Sequence, residues 1–591
     1  MIHQGKKILL IGGLGHTDLS GKVPRPGLLM LRKALRQAGH EAVVENYSTA
    51  LQSQMFPESI VKELTQIYER SIKPLVIEGK NLLLRFWKVP RLVRDINHLK
   101  EISKALSEVE RGVFQMLGDE IAKRVKEEKF DAVGFSLYLG SSTMDSIIMA
   151  DILREESPNL PIFFGGPQTT HFAEAIYRVT HAPTALVLGE GEISIVKLVE
   201  ALDALKAGKL RDLSQIPNIV FRTHDGKIIA TLRKRLSLQE WINLSAVPYE
   251  EGDFEGLMRY AFIETSRGCF YRCHFCPQPL LSGVERYLKP AHKVVDEMVE
   301  ISQKFGISHF ELVGSSTPPG QAEEIAEELI VRGLQDKFNW VLFMRGKDER
   351  PKGIPLPDLM KKIKSAGTSA IFFGVEAADD ETLQKMGKKG TIADIKTAML
   401  AAKAAGIATI GSFIYPYPGM PSDEGDRIIK FLREIYPLSS PVQALGLYPG
   451  TYDAMHAAEI GCEFIYSDIN DQKLFLGGAK AAPSINSPEV LSYLLKYPLI
   501  LSLPMRLWPP LPYKIGGKSY QEYVKDINRL QQRISKLGIL LGFSHSHYLI
   551  SQVLGVSPSV FSERMFYCSL TGDPQATEKL IALFNSRVKL I

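Results

Sequence analysis

Three of the chain's five cysteines fall within eight residues, in the stretch Arg267-Gly268-Cys269-Phe270-Tyr271-Arg272-Cys273-His274-Phe275-Cys276-Pro277. The spacing C-x3-C-x2-C offers three thiolates on one compact loop. A cubane iron–sulfur cluster has four irons, so three protein ligands would leave one iron open to something else. Two other readings of these residues stay open here. One is a structural zinc site with His274 as fourth ligand, since three cysteines and a histidine are a known set. The other is three thiols with no ligand role. Cys462 and Cys568 lie far downstream without paired spacing, and nothing suggests that either completes the set.

The loop follows a short apolar run, Ala261–Thr265, which opens an alternating series. Further strands are predicted at His309–Val313, Trp340–Met344, Ala370–Val375, Ala408–Ile414 and Ala444–Leu447. Helices between them are predicted at Pro290–Phe305, Ala322–Arg332, Pro357–Ala366 and Ile392–Ala405. Six βα units suit a partial or full βα barrel, whose chemistry sits at the C-terminal ends of its strands. The cysteines are therefore expected on the active face.

Residues 1–202 alternate in the same way, with strands predicted at Lys7–Gly12, Glu41–Val44, Phe130–Ser136, Pro161–Gly165 and Thr184–Leu188. Short apolar runs separated by helices indicate a parallel, doubly wound sheet. Residues 49–112 carry helical periodicity and many charges, which reads as a helical insertion longer than a loop. Residues 203–255 read as a linker, with a hairpin-like turn at Asp225-Gly226 between Asn218–Arg222 and Lys227–Thr231. The barrel is expected over 256–455. Residues 456–591 read as a mostly helical C-terminal domain containing the stretch Trp508-Pro509-Pro510-Leu511-Pro512.

Composition narrows the function class. At 591 residues the chain has room for roughly four domains. A net charge of +5 over that length argues neither for nucleic acid nor for an anionic membrane surface. Five cysteines, an odd number, do not make a secreted disulfide scaffold. The N-terminal apolar run is short and ends in glycines, unlike a signal peptide. Tyr497–Met505 is broken by Pro498 and Pro504 and is too short to span a bilayer. The expectation is a cytoplasmic protein.

The cysteine loop after a first barrel strand resembles the signature of the radical S-adenosylmethionine (SAM) superfamily. The resemblance implies a [4Fe–4S] cluster on Cys269, Cys273 and Cys276, with SAM chelating the open iron and cleaved by one electron to methionine and a 5′-deoxyadenosyl radical. Phe275, the aromatic before the last cysteine, also fits. Phe373-Gly374-Val375-Glu376, followed by Leu383, Met386 and Gly387-Lys388-Lys389-Gly390-Thr391, resembles the family's fourth-strand segment, where a strand-end acid is expected near the SAM ribose. Gly411 through Gly419-Met420-Pro421 resembles the fifth-strand stretch, and Leu447-Tyr448-Pro449-Gly450-Thr451 the sixth. Family members often carry an acidic segment after the second strand that holds the SAM amino group. Here that stretch is Val313-Gly314-Ser315-Ser316-Thr317, without a carboxylate. Glu376 and Arg345 are the next SAM-binding candidates, against a strand-end ion pair with no ligand role.

In the first domain, Gly134-Phe135-Ser136, Phe164-Gly165-Gly166-Pro167 with Thr170, and Gly189-Glu190-Gly191-Glu192 each follow a predicted strand. Glycines there permit close backbone approach of a ligand outside the strand ends. Their order ahead of the cysteine loop resembles the cobalamin (B12)-dependent class of radical SAM enzymes, the class B methyltransferase type, over about residues 1–455. The resemblance implies cobalamin held by Ser136, Gly165, Gly166, Thr170, Gly189, Glu190, Gly191 and Glu192. His16 stands in the first loop without the Asp and Gly of the usual cobalt-ligating motif and is expected to have a loop or surface role.

The function implied is transfer of a methyl group from SAM, through methylcobalamin, to a carbon of a small-molecule or natural-product substrate. A reductant such as flavodoxin or ferredoxin would supply electrons. Cobalamin-dependent radical chemistry without methyl transfer (cyclisation, ring contraction or oxidation) is an alternative, and a cluster protein that only binds or carries electrons is another. Tyr415 and Tyr417 either face the shared cleft or pack. His545 and His547 are not at helical ligand spacing and are expected at the surface.

Overall fold

The computed structural model describes residues 5–12, 26–46, 112–137, 142–206, 210–254, 260–348, 354–464, 513–515, 520–541 and 545–553, with single positions at 66, 98, 101 and 557. Apart from those single positions, the helical insertion up to residue 111 lies outside the described residues, as do the His16 loop, Cys568 and the Trp508 proline stretch.

The first sheet is built from β1 (Lys7–Gly12), β2 (Glu41–Asn46), β3 (Ala132–Ser136), β4 (Ile162–Gly165) and β5 (Ala185–Val187), with β6 (Ile219–Arg222) and β7 (Ile228–Ala230). Its order is β2-β1-β3-β4-β5-β6-β7. The first five strands are parallel, in the flavodoxin-like order of a doubly wound domain. Alternate side chains feed two cores. Leu9, Ile11, Val133, Phe135 and Phe164 lie on one face, and Ile8, Leu10, Ala132 and Phe163 on the other. Apolar runs without polar alternation are what a sheet covered on both sides requires.

The stretch expected to be only a linker extends this sheet. β6 and β7 join β5 as an antiparallel hairpin. Ile219 and Phe221 fill one core and Val220 the other, and Tyr177 donates its hydroxyl to the Val220 carbonyl at 3.1 Å. Burial of alternate apolar residues on both faces holds the hairpin on the sheet edge.

The second sheet contains β8 (Ala261–Glu264), β11 (His309–Val313), β12 (Asn339–Met344), β13 (Thr368–Glu376), β14 (Ala408–Ile414) and β15 (Val442–Gln443). A small ribbon of β9 (Ser266–Arg267) and β10 (Tyr287–Leu288) stands beside it. All six strands of the larger sheet are parallel and follow one another in chain order. The arrangement is an open, six-stranded βα barrel. The sixth strand is shorter and earlier than expected. Only Val442 and Gln443 pair with β14, while Leu445 and Leu447 leave the sheet and bury their side chains in the core.

Parts of the C-terminal region close this barrel. The backbone of Leu540 pairs with Leu438 and Ser440 just before β15, and Arg533 of the helix Tyr520–Lys536 bonds Asp426 at 2.6 Å. The helix His545–Val553 packs against β11, β12 and β13. His545 meets the rings of Phe343 and Phe372 edge-on, 3.7 Å from Glu311. His545 is therefore buried rather than at the surface, because its helix lies against the sheet and not on an outer layer. No helix among the described residues is long and apolar enough to cross a membrane.

Candidate active site

The cysteine loop begins where β9 ends. Gly268 has φ +79°, and a Cβ there would stand 2.0 Å from the Glu285 carbonyl, so only glycine fits this turn. Cys269 N–H donates to Gly283 O at 3.0 Å, and Cys276 N–H to Cys273 O at 3.0 Å. His274 anchors the far side. Its N–H donates to Met386 O at 2.8 Å, its Nδ1 lies 2.7 Å from Lys385 O, and its ring stacks on Tyr452 at 4.0 Å. With Nδ1 engaged by the segment after β13, His274 acts as a strut of the loop.

Burial pushes the Cys269 thiol up and the Cys276 thiol up to about 12. Metal ligation therefore has to drive their deprotonation. Among the described residues no three His, Cys, Asp or Glu side chains converge to hold one metal ion. A cubane does not ask for that convergence, because each thiolate binds a different iron.

The barrel brings both SAM-binding candidates beside this loop. Arg345, after β12, points Nη1 at Cys273 Sγ at 3.6 Å and lies over the Tyr271 ring at 3.7 Å. Its Nε is buried without a partner. Glu376 ends β13 at φ +70°, where the pairing with β14 slips by one residue, and its carboxylate accepts from Lys388 Nζ at 3.1 Å. The positive φ curls Glu376 back over Gly374, where a Cβ would meet Oε1 at 2.4 Å. Phe275 packs against the barrel core.

The serine stretch after β11 is committed to the loop's support. Ser315 Oγ donates to Gly268 O at 2.6 Å, and Ser266 Oγ donates to Ser316 O at 2.8 Å. These hydroxyls hold the entry to the cysteine loop.

In the first sheet, Ser136 and Gly165 are register partners, and Ser136 also faces Gly12 across the point where the strand order reverses. Such a switch point is where open α/β sheets bind ligands. Gly166 has φ +96°, with 2.6 Å between a Cβ and Leu137 O. It starts the helix Pro167–Val179 without a side-chain cap. Gly191 likewise starts Glu192–Glu200 uncapped. Thr170 Oγ1 accepts from Gly189 N–H at 2.8 Å, tying the two loops together.

Glu190 and Glu192, which follow the last parallel strand of the first sheet, are buried in a bridge between the two sheets. Arg267 Nη1 donates to Glu192 Oε1 at 2.9 Å and lies 3.8 Å from Glu190 Oε2. The same guanidinium takes both Glu264 oxygens at 2.9 Å. Glu192 and Glu264 bond Arg267, and Glu190 bonds Arg235 and the Leu236 N–H; an unpaired acid at that depth would be strongly penalised.

Four further side chains were not singled out for the site by sequence reasoning. His171 Nδ1 lies 3.1 Å from Pro449 O, with its Nε2 buried and unpartnered, and both amide atoms of the fully buried Gln168 lack partners. Asp453 accepts from the Tyr417 hydroxyl at 3.0 Å, and burial lifts its carboxyl to about 6. That contact also shows Tyr417 packed rather than facing a cleft. Glu424 accepts from Ala378 N–H at 2.7 Å, and burial lifts its carboxyl to about 7. A glycine-rich strand end flags the first pair; the two acids carry no sequence signal.

A doubly wound sheet whose loops meet a βα barrel bearing a three-cysteine loop defines a radical SAM protein with a B12-binding domain ahead of it. Residues 99–199 match the B12 binding domain family, and residues 263–432 the radical SAM superfamily. The chain is 26% identical over 345 residues to an uncharacterized methyltransferase of Pyrococcus horikoshii, covering 56% of this chain and 70% of that one. It is 27% identical over 309 residues to the anaerobic magnesium-protoporphyrin IX monomethyl ester cyclase of Cereibacter sphaeroides, covering 50% and 48%. The chain thus spans about half the length of the cyclase. Among solved structures, the cobalamin-dependent SAM radical enzyme OxsB with aqua-cobalamin and SAM bound superposes with a TM-score of 0.55 at 15% identity, covering 99% of this chain and 75% of that one. The cofactors of the two domains are a [4Fe–4S] cluster with SAM and cobalamin.

The residues present fit these groups. Three thiols share one loop, and the Arg345 guanidinium, whose Nε is unsatisfied, stands beside it. The first sheet offers uncapped helix N-termini at its ligand-binding edge, suited to a phosphate, beside the unsatisfied amide of Gln168.

Proposed function

We propose that the chain is a cobalamin-dependent radical SAM methyltransferase that moves a methyl group from SAM to a carbon of a small-molecule or natural-product substrate. The observation that carries this reading is the contact between the two ligand-bearing edges. A Cβ on Gly189, in the first sheet's last parallel loop, would stand 2.9 Å from Leu281 O, in the helix directly after the cysteines. Two cofactors held on those edges share one cleft.

When bound, the cluster with SAM supplies a hydrogen-abstracting radical and cobalamin supplies a methyl carrier. The chain supplies placement. In this reading Cys269, Cys273 and Cys276 hold the cluster, and Arg345 sets a positive charge beside it. Glu376, steadied by Lys388, binds the SAM ribose, and Phe275 packs behind it. Ser136, Gly165, Gly166, Thr170, Gly189 and Gly191 form the cobalamin cradle, with Glu190 and Glu192 bracing it. A one-electron reductant such as flavodoxin or ferredoxin completes the system. Residues 1–202, with the hairpin 219–230, would form the cobalamin unit, and residues 256–455 the radical unit.

The likeness to the cyclase supports a second reading, radical chemistry without methyl transfer. The deciding experiment is an anoxic reaction with SAM carrying a deuterated methyl group, followed by mass spectrometry of the products. Label on a product carbon supports methyl transfer. Formation of 5′-deoxyadenosine with an unlabelled, altered product selects the second reading. About four iron and one cobalt per chain are expected on metal analysis; zinc alone would overturn both.

A further inference from the structure

The two sheets are joined immediately upstream of the cysteines by a buried cluster of charge. Arg267 sits two residues before Cys269, and its planar fork reaches both sheets. Nε and Nη2 take the two oxygens of Glu264, at the end of β8. Nη1 takes Glu192, the first residue of the helix after β5, and Nη2 also meets Met30 Sδ at 3.4 Å. Glu264 is fixed in turn by Trp241 Nε1 at 2.8 Å. Glu190 is fixed by Arg235 Nε at 3.1 Å and by Leu236 N–H at 2.9 Å. Every atom of the guanidinium that can donate is thus used, and no lysine could do the same from one point charge.

The backbone between this fork and the first thiol has no slack. Gly268 is pinned at φ +79° with the Glu285 carbonyl against its α-carbon, and Arg267 pairs with Tyr287 in the β9–β10 ribbon. A displacement of the guanidinium is therefore passed to Cys269. A second buried pair, Arg32 with Asp253, also fastens the first domain to the segment ahead of the barrel, with Nη1 at 2.9 Å from Oδ1 and Nη2 bonding both Oδ2 and the Pro248 carbonyl.

We infer that Arg267 is a positioning residue that fixes the cysteine loop against the first sheet through Glu192 and Glu190, and so sets the spacing between the two cofactor sites. The inference rests on the reading that each sheet edge carries a cofactor. Glu190 and Glu192 then serve the reaction without touching either group. Among the described residues, Glu190, Glu192 and Glu264 form ion pairs only with Arg235 and Arg267, so the bridge depends on Arg267 for its balance, and Glu192 Oε2 remains buried without a hydrogen-bond partner.

The test uses the full chain reconstituted anoxically with iron, sulfide and hydroxocobalamin, then reduced so that cluster and cobalt are both paramagnetic. The magnetic interaction between them, read by electron paramagnetic resonance, reports their separation and needs no substrate. Glu192→Gln removes one charge and keeps the shape, and Arg267→Lys keeps the charge and loses the fork. Both are expected to retain wild-type iron and cobalt content and to show a shifted or broadened cluster–cobalt interaction. Fully loaded variants whose spectra superimpose on wild type overturn the inference alone. A wild-type chain that takes up no cobalt overturns the cofactor reading and this inference with it. Where Arg267→Lys fails to fold, Glu192→Asp, which withdraws the carboxylate by one methylene, carries the same comparison.

Discussion

Arg345 holds a guanidinium nitrogen 3.6 Å from the sulfur of Cys273, and the face of Tyr271 keeps it there at 3.7 Å. A fixed positive charge beside a cluster favours the form with one more electron. At an effective dielectric of about 20, a unit charge several ångströms away is worth on the order of 2 kcal/mol, or roughly 50–100 mV for a one-electron couple. Arg345→Met is therefore expected to lower the cluster's reduction potential by that order, and Arg345→Lys to recover most of the shift. A redox titration followed by electron paramagnetic resonance checks both. An unchanged potential in Arg345→Met would mean that the guanidinium is turned away from the loaded cluster.

Ligand assignment rests on the three-cysteine loop alone. Cys269→Ala, Cys273→Ala and Cys276→Ala are each expected to cut iron content by most of its wild-type value and to remove the cluster's visible absorbance. Cys462 is buried close to Asp453, and its thiol is pushed up to about 12 by burial and by that carboxylate. Cys276 is pushed up as far, so Cys462 is set apart by its place: it pairs with Ile515 in a separate antiparallel ribbon and packs in the core as a small apolar group. Cys462→Ala should keep full iron content; loss of iron there would contradict the assignment.

These residues also mark how far a sequence can be read. The five parallel strands and the cysteine loop were legible because apolar runs and close Cys spacing are local signals. The resemblance implies a cofactor role for Glu190 and Glu192, but no local signal announces their ion partners, because Arg235 and Arg267 lie outside residues 1–202. His545 looked exposed because no local pattern announces a helix packed on the barrel's strands. The sixth strand was misplaced for a related reason. Leu445 and Leu447 alternate as strand residues do, yet they use that alternation to enter the core from a segment that has left the sheet.

Glu376 and Lys388 face each other at 3.1 Å behind the cysteine loop. If the carboxylate holds a SAM hydroxyl, Glu376→Gln forfeits a charge-assisted hydrogen bond worth about 1.5–3 kcal/mol, a loss of roughly 10- to 100-fold in affinity. Calorimetric titration of the reconstituted protein with SAM should show that loss, with iron content unchanged. Lys388→Met, which frees the carboxylate to reorient, should weaken binding less. Equal SAM affinity in wild type and Glu376→Gln would reduce Glu376 to a strand-end ion pair.

Glu424 begins the helix Glu424–Ile435, where Oε1 accepts from Ala378 N–H and Oε2 is buried without a partner. Burial is the main cause that lifts its carboxyl from 4.5 to about 7, with the neighbouring Asp379 adding to it. The folded chain therefore keeps this proton over a range where the unfolded chain releases it. Stability from this group is full below about pH 4.5 and falls as pH rises to about 7, by on the order of 3 kcal/mol in total. Glu424→Gln keeps an acceptor for Ala378 and cannot ionise. Denaturant unfolding of wild type and variant at pH 5 and pH 8 should show the gap moving in the variant's favour at the higher pH. A gap of constant size across that window would mean that the Glu424 carboxyl ionises in its ordinary range.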